Sequence, residues 1–231
     1  MMTLYYLDNV NYSYDGQKLA LSVVDLAISD TGLTAVIGDN GSGKTTLGKL
    51  LAGILKPTFG RVLLQGQDTK EMTLGEIGNR IGYLFQEPER QIFAPTVEEE
   101  LSFVLKVKGF TKEKINDMVD EMLTRFHLEH LRKNFPFYLS RGEKQRLALA
   151  TVLIDKPRFI ILDEPTTALD IKRKAELSNI LKELLDENIG MMIISHDYQF
   201  VTKHATRVIE IDGGVISHDS CNPKERANEP V

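Results

Sequence analysis

The sequence predicts an α/β protein in which strands and helices alternate around a mostly parallel sheet, interrupted by an inserted helical subdomain at about residues 87–155. Three observations carry that expectation. The β-branched, uncharged run Leu33-Thr34-Ala35-Val36-Ile37 leads through a glycine-rich turn into Leu47, Leu50, Leu51 and Ile54, which share one helical face. Phe159-Ile160-Ile161-Leu162 is apolar at every position, the texture of a parallel strand covered on both faces. Between these two, residues 96–136 drop the alternation of strand and helix for helical periodicity.

Taken in order, residues 3–7 and 21–28 read as strands with an Asp15-Gly16 turn between them. Tyr12 and Tyr14, two apart, fall on one face of an extended chain; they read either as sheet packing or as a stacking platform. The helix after residue 44 is expected to run to about Lys56, because Pro57 restricts the residue before it. Residues 61–64, closed by Gln65-Gly66, and residues 81–85 are further strands. Residues 86–95 hold two prolines and little period, an ordered loop. Thr96 with Glu99 offers a capping box, and Glu98-Glu99-Glu100 suits a first helical turn. Ile115, Met118, Val119, Met122, Leu123 and Phe126 stripe a second helix, and Ser140 with Glu143 caps a third. Leu177, Ile180, Leu181, Leu184 and Leu185 stripe a helix ending near Asn188-Ile189-Gly190. Residues 191–194 and 207–211 are closing strands, and Gly213-Gly214 turns the chain into Val215-Ile216. One domain is expected over residues 1–217, with 218–231 a flexible tail.

A length of 231 residues suits one domain with a small insert, and 42% hydrophobic against 26% charged residues describes an ordinary globular chain. The net charge of −5 disfavours nucleic acid as a partner. No apolar run approaches the ~18 residues of a membrane span. The opening residues carry no signal-peptide pattern, and Cys221 is the single cysteine, so a reducing, cytosolic setting is expected.

Gly38-Asp39-Asn40-Gly41-Ser42-Gly43-Lys44-Thr45-Thr46 fits G-x-x-x-x-G-K-[ST] between a strand and a helix. Its glycines let backbone N–H groups converge on a phosphate chain at a helix N-terminus, where the dipole also favours anions. Lys44 would neutralise β- and γ-phosphates and the Thr45 hydroxyl would ligate Mg²⁺. Asp163 and Glu164 end a buried strand, the edge where α/β sheets bind ligands. Asp163 suits the Mg²⁺ shell, and Glu164 suits a base for an attacking water. Ser140 and the Gly142 N–H mark a second helix N-terminus able to meet an anion.

In this order, with Gln86, the signature Leu139-Ser140-Arg141-Gly142-Glu143-Lys144-Gln145, Ala168-Leu169-Asp170 and Ser195-His196-Asp197, the chain resembles the ATP-binding subunits of ABC transporters. That resemblance implies a P-loop NTPase core with an N-terminal antiparallel β subdomain, and ATP with Mg²⁺ as bound species. It implies that Tyr14 stacks on adenine, that Gln86 touches the metal, and that Asp170 lies in the D-loop. His196 would contact the γ-phosphate, while Ser140, Arg141, Gly142 and Glu143 would face the nucleotide of a second copy. It further implies two partners, a second ABC ATPase subunit (the same chain or a paralogue) and a transmembrane transporter subunit. Membrane contact would come only through that partner, at the cytoplasmic face. The stretch Phe85-Gln86-Glu87-Pro88-Glu89-Arg90-Gln91-Ile92-Phe93 with Thr96-Val97-Glu98 is similar to the energy-coupling-factor ATPases of vitamin and metal-ion uptake. Glu87, Glu89 and the acids at 98–100 would then meet a basic partner. A soluble ABC-type ATPase acting on DNA or ribosomes is the alternative, and the negative charge speaks against it. Arg141 and Glu143 depart from the family's usual L-S-G-G-Q.

Overall fold

A computed structural model describes residues 2–167 and 169–220. The tail from 221 on, with Cys221, and Ala168 of the expected D-loop lie outside the described residues. Two compact units are present: the residues up to Tyr83 together with those from Arg158, and Leu84–Pro157.

In the first unit, strands β1 (Thr3–Ser13) and β2 (Leu19–Ser29) pair antiparallel, with Leu7 opposite Leu26. The turn joining them forms because the Asp15 carboxylate accepts the N–H groups of Gln17 and Lys18 at 2.8 and 2.9 Å. Strand β3 (Leu33–Ile37) leads to helix α1 (Lys44–Leu51). Strand β4 (Phe59–Leu64) pairs with the other edge of β1 and, through the Gln65-Gly66 turn, with the short β5 (Gln67–Asp68). This four-stranded sheet runs β2-β1-β4-β5. After helix α2 (Leu74–Gly78), strand β6 (Ile81–Leu84) opens the way to the second unit.

Helix α3 (Val97–Val107), helix α4 (Lys112–Arg125) and helix α5 (Arg141–Leu153) make up that second unit. Each starts on a hydroxyl that accepts the third helical N–H: Thr96, Thr111 and Ser140. Of the acids expected to face a partner, Glu98 and Glu100 are tied inside the unit, while Glu87, Glu89 and Glu99 are exposed. Glu100 is buried and accepts the N–H groups of Phe93 and Ala94, at 2.9 and 2.7 Å, fixing the preceding loop. Glu98 pairs with Arg132 and Lys133, and Glu87 and Glu89 meet Arg90 and Lys144.

Strand β7 (Phe159–Asp163), helix α6 (Ile171–Asp186), strand β8 (Gly190–Ile194), helix α7 (Tyr198–Thr202), strand β9 (Arg207–Asp212) and strand β10 (Val215–Ser220) complete the first unit. The second sheet runs β10-β9-β3-β8-β7-β6. β3 is parallel to both β8 and β9, Val36 standing opposite Ile194 and Ile209. β3, β7 and β8 are buried at every residue, which is why they read as continuous apolar runs. Tyr5 joins the layers: its ring meets Phe159 edge-on and its buried hydroxyl donates to the Leu51 carbonyl at 3.0 Å.

Two expected boundaries move. α1 stops at Leu51 rather than near Lys56, since Gly53 takes a φ of 71° that ends a helix, leaving Ile54 outside the stripe and partly exposed. Ordered structure continues past 217, because β10 pairs with β9 through Ser220 and the Asp219 carboxylate accepts two bonds from Arg207, at 2.7 and 2.5 Å. Among the described residues no helix is long and apolar enough to cross a membrane.

Candidate nucleotide-binding site

The loop after β3 is bent by close approach. Gly38 has a φ of 141°, and a Cβ there would stand 2.1 Å from the Ile211 carbonyl; Gly43, at a φ of 109°, would meet the Ala20 carbonyl at 2.5 Å. The loop is also clasped from outside: the Gly214 N–H donates to the Ser42 carbonyl at 3.0 Å, and the Ser22 N–H donates to the Gly214 carbonyl at 2.8 Å. α1 starts on Gly43 without a side-chain cap and with no acid in its first turn. Its first N–H groups therefore point at the loop, and among the described residues no side chain caps them. The Ser42 hydroxyl is buried without a hydrogen-bond partner among the described residues. An uncapped positive helix end and an orphaned buried hydroxyl fit an oxyanion such as phosphate.

Lys44 is buried at this loop, its ammonium donating to the carbonyls of Gly38 and Asp39 at 2.8 and 2.7 Å. Burial holds its pKa below the usual lysine value, against the pull of Glu164, Asp39 and Asp163. The Thr46 hydroxyl lies 3.2 Å from the Tyr14 hydroxyl. The Tyr14 ring is exposed and packs edge-on against Tyr12, 4.9 Å between centres.

Asp163, at the end of β7, is 2% exposed. Thr45 donates to its Oδ1 at 3.0 Å and Tyr83 to its Oδ2 at 2.9 Å. Burial pushes the Asp163 carboxyl up, and the bonds from Tyr83 and Thr45 oppose that. Mg²⁺ binds oxygens at ~2.1 Å in an octahedron, so neighbouring ligands stand ~3 Å apart. The Thr45 and Asp163 oxygens have that spacing. Among the described residues no group of three or more acids, histidines or cysteines is placed to hold a metal ion by itself, so a cation here would draw its other ligands from phosphate and water.

Glu164 follows at a φ of 51°, its N–H bonded to the Ile194 carbonyl at 2.8 Å. Its buried carboxylate meets His196 Nδ1 at 2.9 Å. Behind them Ser195, fully buried, bonds Thr166 and the Asp197 N–H, while Asp197 pairs with Lys174. Asp170 caps α6, accepting the Arg173 N–H at 2.8 Å. Lys44, Thr45, Asp163, Glu164 and His196 thus meet within one unit. Gln86, Ser140, Arg141, Gly142 and Glu143 stand in the helical unit, where Gln86, Ser140 and Arg141 are exposed. Sequence reasoning missed Tyr83. The available signal was a phenol inside an apolar strand, which needs a buried partner for its hydroxyl.

The ABC transporter family profile matches residues 21–167. The chain is 41% identical over 208 residues to a protein of Caldanaerobacter subterraneus subsp. tengcongensis provisionally named an ABC transporter ATP-binding protein. That match takes in 90% of this chain, but the chain spans only 37–43% of the length of this relative and two similar ones from Methanosarcina. It is 37% identical to the energy-coupling factor transporter ATP-binding protein EcfA1 of Halalkalibacterium halodurans, over 92% of this chain and 77% of that one. Among solved structures, cbiO1 of Clostridium perfringens, part of the ABC transporter complex cbiONQ, superposes with a TM-score of 0.85 at 32% identity, over 99% of this chain and 92% of that chain. The ATP-binding cassette MJ0796, solved as a post-hydrolysis dimer bound to ADP and Pi, gives 0.84 at 27% identity, over 94% of this chain and 98% of that chain. With its α/β fold, its phosphate loop and a family match across most of its length, the chain belongs to the ABC transporter ATP-binding family.

Proposed function

We propose that this chain binds and hydrolyses Mg²⁺–ATP to power an ABC-type membrane transporter, of the energy-coupling-factor kind that takes up a vitamin or metal ion. The observation that carries the reading is the Glu164 carboxylate, held 2.9 Å from His196 and one residue beyond the Asp163 that meets Thr45. Nucleotide phosphates would lie along the loop from Gly38 to Thr46, neutralised by Lys44, with Tyr14 against the base. Thr45 and Asp163 would hold Mg²⁺, which when bound would supply positive charge against the negative charge developing on the transferred phosphoryl group. Glu164 takes a proton from the attacking water as its oxygen bonds the γ-phosphorus and the bond to the bridging β–γ oxygen breaks. His196, oriented through its Nδ1, steadies the γ-phosphate.

Ser140 with the Gly142 N–H would complete the site of a second cassette, so that ATP closes a dimer. A dimeric relative bound to ADP and Pi supports that arrangement. The cassette would work peripherally, at the cytoplasmic face, against a transmembrane partner; the likeness to EcfA1 and cbiO1 supports this. Glu164→Gln is expected to retain ATP binding and to lose at least ~10²-fold in steady-state turnover, the usual worth of a general base. Turnover near that of the parent chain would remove Glu164 from the role.

A further inference from the structure

Asp163 is gripped from two sides, and only one grip belongs to the nucleotide loop. We propose that Tyr83 is a positioning residue for the metal-binding edge, its hydroxyl holding Asp163 Oδ2 so that Oδ1 stays beside the Thr45 hydroxyl. The inference rests on the reading of Thr45 and Asp163 as the protein's Mg²⁺ ligands. The two bonds, 2.9 Å from Tyr83 and 3.0 Å from Thr45, reach different oxygens of one carboxylate. A planar group held at both oxygens cannot turn about its Cβ–Cγ bond without losing a bond. Nor can bulk water replace the phenol, because Asp163 is buried.

The neighbouring helix leaves space for this ring. Gly48 of α1 has no side chain, and a Cβ there would come 3.4 Å from both Cε2 and the hydroxyl of Tyr83, and 2.6 Å from Ile194 Cδ1. An ordinary phenol keeps its proton at neutral pH and a carboxylate can only accept, so the Tyr83 hydroxyl is the donor in this bond. Tyr83 touches no reacting atom. It acts through Asp163, so its loss should separate metal-dependent binding from nucleotide binding itself.

Tyr83→Phe keeps the ring and removes the hydroxyl. Affinity for a fluorescent N-methylanthraniloyl ATP would be titrated in EDTA and in Mg²⁺, for the parent chain, Tyr83→Phe and Asp163→Asn. The expected result is an EDTA affinity within about twofold of the parent for Tyr83→Phe, with the gain on adding Mg²⁺ cut by about tenfold, the worth of a hydrogen bond to a charged group. The Mg²⁺ concentration for half-maximal binding should rise in parallel. If Asp163→Asn removes the Mg²⁺ gain while Tyr83→Phe keeps all of it, the role of Tyr83 is overturned and the site reading stands. An equal loss in EDTA and in Mg²⁺ also overturns it, as the mark of a merely structural side chain. If Asp163→Asn itself keeps the Mg²⁺ gain, the underlying assignment of the metal ligands falls instead.

Discussion

Glu164 holds a backbone conformation that few residues other than glycine adopt, at a φ of 51°. Such a residue costs on the order of 1 kcal/mol, and it persists only where its surroundings over-determine it. Here the N–H bond to Ile194 on β8 fixes the turn, and the turn aims the carboxylate at His196. The residue type was legible from its place after an apolar strand. Its strain was not, since that depends on a strand that follows some thirty residues later in the chain. Tyr83 escaped for the same reason: only the packed sheet brings it to Asp163. Arg141, by contrast, is exposed at the first position of α5. An exposed charge is worth about 1 kcal/mol or less, which is under a tenfold effect. Arg141→Gly is accordingly expected to leave steady-state ATP turnover within about tenfold of the parent. Complete loss, or a far larger gain, would show that the side chain does more than sit beside an anion site.

The caps illustrate what an element takes from its neighbours. The Ser140 hydroxyl and N–H both donate to Glu143 Oε2, at 2.6 and 2.8 Å, and the Glu143 N–H returns a bond to the hydroxyl. The hydroxyl bond first, and the backbone bond second, hold the Glu143 carboxyl below its usual range. Thr73 does the same for Glu76, through its N–H and then its hydroxyl, and Lys133 followed by Arg132 for Glu98. The unfolded chain binds these protons more tightly than the folded one. Their stabilisation is therefore present above the ordinary glutamate pKa of about 4.3 and fades as the pH falls through the lower folded values. Glu143→Ala should lower the melting temperature at neutral pH by about 2–4 °C, for a cap worth ~1 kcal/mol in a chain of this size. The difference from the parent should shrink in acid; a gap unchanged at low pH would refute the assignment of that stabilisation to the ionised cap. Both capping signals at 140 and 143 were written in the sequence, because a cap is local. The end of α1 was misread because Pro57 is a visible stop, whereas Gly53 acts earlier through its backbone angle.

At the scale of the whole molecule, the head-to-tail pairing proposed above would make turnover depend on chain concentration. ATPase activity per chain is expected to fall as the protein is diluted below its dimer dissociation constant. The Glu164→Gln chain loaded with ATP should double in mass by light scattering. Activity per chain that stays constant on dilution, with no mass change, would sink the paired arrangement. The alternation of strand and helix was legible because period is local, and so was the presence of an inserted helical block. The order β10-β9-β3-β8-β7-β6 was not, since no local pattern says that β3 lies between β8 and β9.

That central placement reaches back to how the chain is made. β3 and the loop after it are synthesised well before β3's two flanking strands and the Gly214 N–H that clasps Ser42, which come from residues 190–214. A nascent chain that has not yet reached residues 190–214 carries its phosphate loop without a frame, however long it pauses on the way out of the exit tunnel. Competence to grip a triphosphate should therefore arrive late and all at once, as the closing hairpin emerges.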